Sequence, residues 1–135
     1  KKKIDYINSE KLINKLSNTK LYCLDFEKFC NKIELTENDF MFLDPPYDTE
    51  FSTYAKNDFD KEDQIRLANY LKNTKAKFML IIKNTDFIYN LYKDKGFNIK
   101  TFDKKYLVSF MNRNDKKTEH LLITNYDVEV KNGAN

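Results

Sequence analysis

Phe40-Met41-Phe42-Leu43-Asp44-Pro45-Pro46-Tyr47 is the stretch of sequence that decides the fold. Its first four residues are all apolar, which is typical of a strand covered on both faces. The two prolines lack a backbone N–H and cannot continue a ladder of hydrogen bonds, so they end the strand. The stretch therefore predicts a short strand over residues 40–43, with Asp44 at its carboxyl end and a loop over residues 44–59.

Hydrophobic periodicity on both sides of this strand predicts an alternation of helices and strands. Ser9 and Asp60 are expected N-caps, and Asp63 stands where a capping box requires an acidic residue. Gly96 is a suitable helix terminator. The predicted helices cover residues 9–16, 26–33, 60–71 and 86–92, and the predicted strands cover residues 21–24, 78–82, 106–111 and 119–124, with a polar turn over residues 112–117.

This alternation favours a parallel α/β sheet with an antiparallel ending. Sheets of this kind bind ligands at the carboxyl ends of their strands. Asp44 follows one predicted strand and Asp25 follows another, so both are candidates for a site. The continuous apolar run over residues 78–82 predicts a strand buried on both faces. The apolar face of the helix after Asp60 is predicted to consist of Ile65, Ala68 and Leu71, with Leu67 beside them.

Composition narrows the class of protein. The 135 residues fit one domain, and a hydrophobic share of 41% supports a packed core rather than a disordered chain. The longest apolar runs, such as residues 78–82, are far shorter than the roughly 20 residues that cross a bilayer. Cys23 and Cys30, without a secretion signal, favour a cytoplasmic protein. No Cys/His cluster has metal-ligand spacing, and His120 is expected to be a packed or surface residue.

The tetrapeptide that begins at Asp44 offers two rigid hydrogen-bond acceptors beside an aromatic ring. Asp44 offers a carboxylate oxygen and Pro45 its backbone carbonyl, and consecutive prolines hold both in place because they fix φ. The exocyclic amino group of adenine is a poor nucleophile, since its lone pair is delocalised into the ring. Acceptors on its two hydrogens would localise that pair towards a methyl donor. Tyr47 offers a face for a flipped-out base; a proline turn in which Tyr47 only packs is the simpler alternative.

Several segments in order and spacing give the sequence its likeness to a known family over residues 20–126. The segments are Cys23-Leu24-Asp25-Phe26, Leu43-Asp44-Pro45-Pro46-Tyr47, Tyr54, Phe59, Asp60-Lys61-Glu62-Asp63-Gln64 and Glu119-His120-Leu121-Leu122-Ile123-Thr124-Asn125-Tyr126. With them the chain resembles the Dam-like DNA adenine methyltransferases. The Asp-Pro-Pro-Tyr motif and the Leu-Leu-Ile-Thr-Asn-Tyr ending, in this order and spacing, are together the strong part of the match.

The resemblance implies a fold, a cofactor and a set of site residues. The fold is α/β: a partial Rossmann-like methyltransferase sheet, mostly parallel with an antiparallel C-terminal strand pair. The implied cofactor is S-adenosyl-L-methionine, with Asp25 and Phe26 beside its adenine ring and Phe59 closing the pocket. From the residues alone, Asp25 could equally be a helix N-cap, and the two phenylalanines could be ordinary core residues. The residues implied to hold the target adenine of double-stranded DNA are Asp44, Pro45, Pro46 and Tyr47.

One departure from the family concerns glycine. Members carry a Phe-x-Gly-x-Gly motif near the N-terminus, whereas this chain has only Gly96 and Gly133. The target-recognition domain that normally precedes the region is also missing. Residues 1–135 are therefore expected to be the C-terminal part of a catalytic domain, inactive alone and needing the missing N-terminal half or a second chain. A truncated form, a proteolytic fragment and one piece of a split enzyme all remain open.

An incomplete sheet leaves the strand over residues 40–43 with an unpaired edge, which invites pairing with another chain. Two routes would close it. The strand over residues 21–24 could shift sideways and pair with it, or a second copy or the missing half could cover it. Association, with a homodimer as one form of it, is the favoured route because the exposed apolar area would be large.

Two other functions compete with DNA methylation. Methylation of RNA or of a protein amide would use the same fold, but related enzymes of those classes often have Asn where this chain has Asp44. A non-catalytic remnant that serves as an interaction module is the third hypothesis, against which the intact Asp44 to Tyr47 motif argues.

Overall fold

The computed structural model describes residues 2–46, 59–103 and 119–129. The chain divides into two units, Lys1–Ile33 and Glu34–Asn135. The first unit contains α1 (Lys2–Ile7), α2 (Glu10–Ser17) and α3 (Phe26–Ile33). The second contains β1 (Phe40–Leu43), α4 (Lys61–Asn73), β2 (Lys77–Lys83), α5 (Asp86–Tyr92), β3 (Asn98–Asp103) and β4 (Glu119–Thr124).

Local signals fix the helices of the first unit. Ser9 caps α2, because its Oγ accepts a hydrogen bond from the backbone N–H of Leu12 at 3.3 Å. The predicted helix over residues 26–33 is confirmed as α3. The predicted strand over residues 21–24 is wrong: this segment is irregular, and Leu21 is 80% exposed. A strand needs a hydrogen-bonded neighbour, and no described strand lies beside it.

The four described strands of the second unit form one sheet in the order β1-β2-β4-β3. β1 and β2 pair in parallel, with Phe40 opposite Lys77 and Leu43 opposite Leu80. β4 runs antiparallel to both of its neighbours, β2 and β3. Three strands therefore point one way and the last points against them, which confirms the predicted α/β fold with its antiparallel C-terminal strand pair.

One strand was not predicted from the sequence. β3 pairs with β4 from Asn98 opposite Thr124 to Asp103 opposite Glu119. Its sequence, Asn-Ile-Lys-Thr-Phe-Asp, carries two apolar residues, Ile99 and Phe102, and these are three apart rather than two. Such a segment lacks the alternation that marks a half-buried strand. The predicted strand over residues 106–111 and the turn over residues 112–117 lie outside the described residues.

The core of the second unit lies between the sheet and its helices. In β2, Phe78, Leu80 and Ile82 are fully buried while Met79 and Ile81 are half-buried, so only one face is completely covered. The prediction of equal burial on both faces therefore needs correction. The helical and β4 side chains that complete this core are Leu67, Ala68, Leu71, Ile88, Tyr92, Leu121 and Ile123.

The buried face of α4 differs from the predicted one. Ile65, predicted to face the core, is 41% exposed, whereas Gln64 is 1% exposed. Successive residues of a helix are turned by about 100° around its axis, so the inward face is rotated about that axis, away from Ile65 and onto Gln64. A polar side chain thereby occupies a core position, and it requires a hydrogen-bond partner.

Asparagine side chains join β2 to β4 at both ends. Asn125, just after β4, accepts a hydrogen bond from the Phe78 N–H at 3.0 Å and donates one to the Ala76 carbonyl at 2.9 Å. At the other end the Asn84 side chain donates to the Glu119 carboxylate at 2.9 Å. These contacts fix the β2–β4 register. Asn125, which belongs to the C-terminal segment that carries the family resemblance, therefore has a structural role.

β1 forms one edge of the described sheet. No strand within residues 2–46, 59–103 and 119–129 pairs with its outer edge. Phe40 is 56% exposed and Phe42 is 61% exposed, although the Phe40 ring meets Tyr126 edge-on at 6.2 Å. Pairing of residues 21–24 with this edge is contradicted, because those residues form no strand. Closure by a second chain stays a prediction.

Candidate active site

The Asp-Pro-Pro segment follows β1 directly, at the carboxyl end of the strand. Asp44 and Pro46 are exposed and Pro45 is half-buried. The described part of the chain provides no hydrogen-bond donor to the Asp44 carboxylate, so its oxygens face solvent as open acceptors. Tyr47 lies outside the described residues, and its stacking role stays a prediction.

Gln64 holds the end of this segment from α4. Its side-chain Nε2 donates a hydrogen bond to the Pro46 carbonyl at 3.1 Å, across 18 residues of sequence. Because Gln64 is almost fully buried, its amide is fixed by packing before it reaches Pro46. The contact ties the turn after β1 to a helix of the core.

The start of α4 is itself well anchored. The Asp60 side chain accepts from the Asp63 N–H at 2.9 Å, and the Asp63 side chain accepts from the Asp60 N–H at 3.1 Å. This is the predicted capping box. Asp63 also pairs with Arg66 at 2.7 Å, and the Arg66 hydrogen bond, followed by the one from the Asp60 backbone, lowers the pKa of the Asp63 carboxyl. Asp63 therefore remains a carboxylate well into the acidic range.

The three predicted cofactor residues fall in different units. Asp25 caps α3: its Oδ1 accepts from the Glu27 N–H at 3.1 Å, and its carbonyl accepts from the Phe29 N–H at 2.9 Å. The N-cap interpretation of Asp25 is thus confirmed, and its side chain is exposed. Phe26, the first residue of α3, is half-buried, as is Phe59, which precedes Asp60 in the second unit. Their roles towards a cofactor stay predictions.

His120 is a packed residue. It is fully buried in β4, and its ring lies 5.7 Å from the ring of Phe102. Among residues 2–46, 59–103 and 119–129, no group of three or more His, Cys, Asp or Glu side chains is placed to hold a metal ion. Over the same ranges, no helix is long and apolar enough to cross a membrane.

Sequence reasoning assigned no role to Gln64. A signal for it exists in the sequence, because Gln64 precedes Leu67, Ala68 and Leu71 by three, four and seven residues. That spacing places it on the same helical face as the three buried residues. A glutamine on such a face needs a buried partner, and the turn after β1 supplies one.

Curated relatives match most of the chain. It is 41% identical over 128 residues to the type II methyltransferase M.CviBI of Paramecium bursaria Chlorella virus NC1A, covering 90% of this chain and 46% of that protein. It is 36% identical over 134 residues to the type II methyltransferase M.MjaIII of Methanocaldococcus jannaschii, covering 90% and 44%. It is 29% identical over 130 residues to the type II methyltransferase M1.LlaDCHI of Lactococcus lactis subsp. cremoris, covering 90% and 42%.

The chain thus spans less than half the length of each of these relatives. Residues 1–108 match the profile of one protein family, and this match includes β1, the Asp-Pro-Pro segment and α4. The chain belongs to the D12 class N6 adenine-specific DNA methyltransferase family.

Proposed function

We propose that this chain forms the target-base side of an enzyme that transfers a methyl group from S-adenosyl-L-methionine to N6 of adenine in double-stranded DNA. The observation that carries the proposal is the Asp-Pro-Pro segment. It stands at the carboxyl end of β1, with an exposed Asp44 and a carbonyl held by Gln64. The chain belongs to an adenine-specific family, which supports adenine as the target base.

In the proposed reaction the chain polarises the adenine amino group. The Asp44 carboxylate accepts a hydrogen bond from one amino hydrogen and the Pro45 carbonyl accepts one from the other. The nitrogen lone pair is then directed towards the incoming methyl group. As the N–C bond forms, the bond between the methyl carbon and the donor sulfur would break, and its electron pair would stay on sulfur, which leaves as a neutral thioether. The nitrogen must then lose a proton, and the solvent-exposed Asp44 can pass that proton to water. Acceptors fixed before the reaction lower its barrier because they need no reorganisation.

Target access requires that the base leave the double helix, since N6 is otherwise engaged in base pairing. Tyr47 follows the two prolines and would offer its ring to the flipped base. Stacking of a base on an aromatic side chain contributes roughly 1–3 kcal/mol. In this arrangement Asp44 and the Pro45 carbonyl select the amino edge, while Tyr47 holds the plane of the base.

The cofactor would supply an electrophilic methyl group on sulfur. Asp25, exposed at the start of α3, can accept a hydrogen bond from its adenosine end, and Phe26 and Phe59 can cover the adenine ring. A glycine cradle for the methionine end is not found here: Gly96 lies in the turn after α5, and Gly133 is the other glycine of the chain. We propose these residues for the adenosine end of the cofactor, and the remainder of a longer protein for its methionine end.

We further propose that residues 1–135 are the C-terminal part of the catalytic domain of such a longer protein. Recognition of a DNA sequence and the N-terminal part of the cofactor site would belong to that remainder. The lengths of the relatives support this proposal, because each relative is more than twice as long as the segment that matches this chain.

The test uses a full-length polypeptide that carries this chain. It is incubated with methyl-labelled S-adenosyl-L-methionine and duplex DNA from a strain that lacks DNA methylation. The DNA is then digested to nucleosides and separated. Label in N6-methyl-2′-deoxyadenosine is the expected result. Label in a methylated 2′-deoxycytidine, or in added RNA or protein and not in DNA, would overturn the proposal.

A further inference from the structure

The turn after β1 has few ways to hold its shape. Pro45 and Pro46 have fixed φ and no N–H, so neither can donate a hydrogen bond to a neighbouring strand. The soft torsions left in these two residues are their ψ angles, which set the directions of their carbonyl groups. A restraint on the Pro46 carbonyl therefore holds the far end of a short segment whose near end is held by the pairing of β1 with β2, and Asp44 and Pro45 lie between these two points.

Gln64 supplies that restraint from the core. Its Nε2 donates to the Pro46 carbonyl at 3.1 Å, and the side chain is 1% exposed between a capped helix start and the buried Leu67 and Ala68. An exposed lysine or serine in the same place would hold the carbonyl through a mobile side chain. A buried amide on a capped helix holds it through a rigid one.

The other half of the same amide argues against a role in stability alone. Gln64 Oε1 is buried, and no donor among the described residues reaches it. An unsatisfied buried acceptor is unfavourable to folding. Pro46 is exposed, so water could satisfy its carbonyl if Gln64 were apolar. Packing alone would thus favour a leucine or methionine at this position.

We propose that Gln64 is a positioning residue for the target adenine. It acts through the Pro46 carbonyl and keeps the Asp44 carboxylate and the Pro45 carbonyl in one fixed arrangement. Gln64 does not itself touch the base. The inference rests on the proposed function and adds to it a residue that lies outside the Asp-Pro-Pro-Tyr motif.

The test compares variants of a full-length polypeptide that carries this chain. Gln64→Met keeps the length of the side chain and removes the donor. Gln64→His keeps an N–H at similar reach. Asn73→Met is the matched control, because Asn73 makes the same kind of bond, to the Asn69 carbonyl at 3.0 Å, at the exposed far end of α4. Methyl transfer to DNA is measured as kcat and as KM for the methyl donor, and folding as the thermal midpoint.

Gln64→Met is expected to lower kcat by roughly 10- to 100-fold, because small misplacements of reacting groups have effects of that size. Its KM for the methyl donor and its thermal midpoint should stay near those of the unaltered protein. Gln64→His should keep most of kcat, and Asn73→Met all of it. If Gln64→Met does not fold, Gln64→Asn replaces it, since that amide is one methylene too short to reach Pro46.

The possible failures are distinct. If the unaltered protein methylates no adenine, the proposed function fails and this inference falls with it. If the unaltered protein is active and a folded donor-free variant keeps its kcat within twofold, the inference alone is overturned. A folded Gln64→His that loses as much kcat as Gln64→Met would also overturn it, since the donor would then be irrelevant.

Discussion

Asp44 places an open carboxylate at the end of a strand whose hydrogen bonds stop at two prolines. Its oxygens have no donor among the described residues, while the Asp60 and Asp63 carboxylates, at the start of α4, each accept a backbone N–H. The contrast between a capping carboxylate and an open one separates a structural acid from one that can receive a ligand. The Gln64 amide shows a similar contrast, because its Nε2 donates to the Pro46 carbonyl whereas its Oε1 has no donor among the described residues.

Replacing Asp44 by alanine should abolish most of the proposed activity. Loss of one acceptor that acts in the transition state lowers a rate by on the order of 100-fold or more. Methyl transfer from labelled donor to duplex DNA is the measurement. Asp94→Ala, an exposed acid in the turn after α5, is the control and should be neutral. Near-normal turnover by Asp44→Ala would refute the role given to this carboxylate.

Tyr92, like Gln64, buries a polar atom that lacks a hydrogen-bond partner among the described residues. This atom is its hydroxyl oxygen, and burial raises the pKa of Tyr92 far above its ordinary value. A group with a raised pKa in the folded state contributes stability that is complete below its unfolded pKa, about 10, and is lost as pH rises beyond it. Each further pH unit removes about 1.4 kcal/mol until the folded group ionises.

Tyr92→Phe should therefore raise the free energy of unfolding by about 1 kcal/mol at pH 7, because it deletes an unsatisfied polar group. The gain over the parent chain should grow above pH 10. Urea unfolding of the chain at pH 7 and pH 10.5 measures both effects. Tyr89→Phe, exposed on the same helix, should change neither. A less stable Tyr92→Phe would mean that the hydroxyl has a partner.

Elements with strong local signals could be predicted from the sequence. α3 has its predicted bounds, and Asp60 with Asp63 marks the start of α4 as expected. The predictions that failed concern segments whose structure depends on a neighbouring strand. Residues 21–24 have an apolar composition but no described strand beside them. β3 is a strand because β4 pairs with it. The spacing of Gln64 from Leu67, Ala68 and Leu71 places it on the buried face of α4, but its partner, the Pro46 carbonyl 18 residues away, depends on the tertiary fold.

The capping box of α4 should have a measurable effect on stability. Asp60→Ala removes the acceptor for the Asp63 N–H and should lower the free energy of unfolding by about 1 kcal/mol. Urea unfolding followed by far-UV circular dichroism is the measurement. Glu62→Ala, in the same first turn but outside the box, should lower it by only a few tenths through the helix dipole. If both substitutions lower the free energy of unfolding equally, the contribution of Asp60 comes from its negative charge near the helix N-terminus and not from the capping box.

Across the described residues, several large apolar side chains are exposed. Phe40 and Phe42 on β1 are more than half exposed, and the first unit exposes further large side chains. Exposed apolar side chains that form a contiguous patch mark contact surfaces. Those of the first unit are Ile4, Tyr6, Ile7, Ile13, Leu16, Leu21, Tyr22 and Leu24.

Self-association of the purified chain is the expected consequence. Light scattering after gel filtration should give a mass above that of one 16.2 kDa chain. Phe42→Lys should shift the distribution towards monomer, because a charge on an open edge opposes strand pairing. Ile65→Lys, which places the same charge on the exposed face of α4, should leave it unchanged. A monomer at all concentrations would refute closure by a second copy.

The position of β4 has a consequence for synthesis on the ribosome. β4 is the last described strand in the chain, yet it lies between β2 and β3 in the sheet. β2 and β3 leave the exit tunnel of the ribosome before residues 119–124 do, so for a time they lack the strand that joins them. The nascent polypeptide must therefore wait with two unsatisfied edges, which is the period when chaperones and unwanted neighbours compete for it.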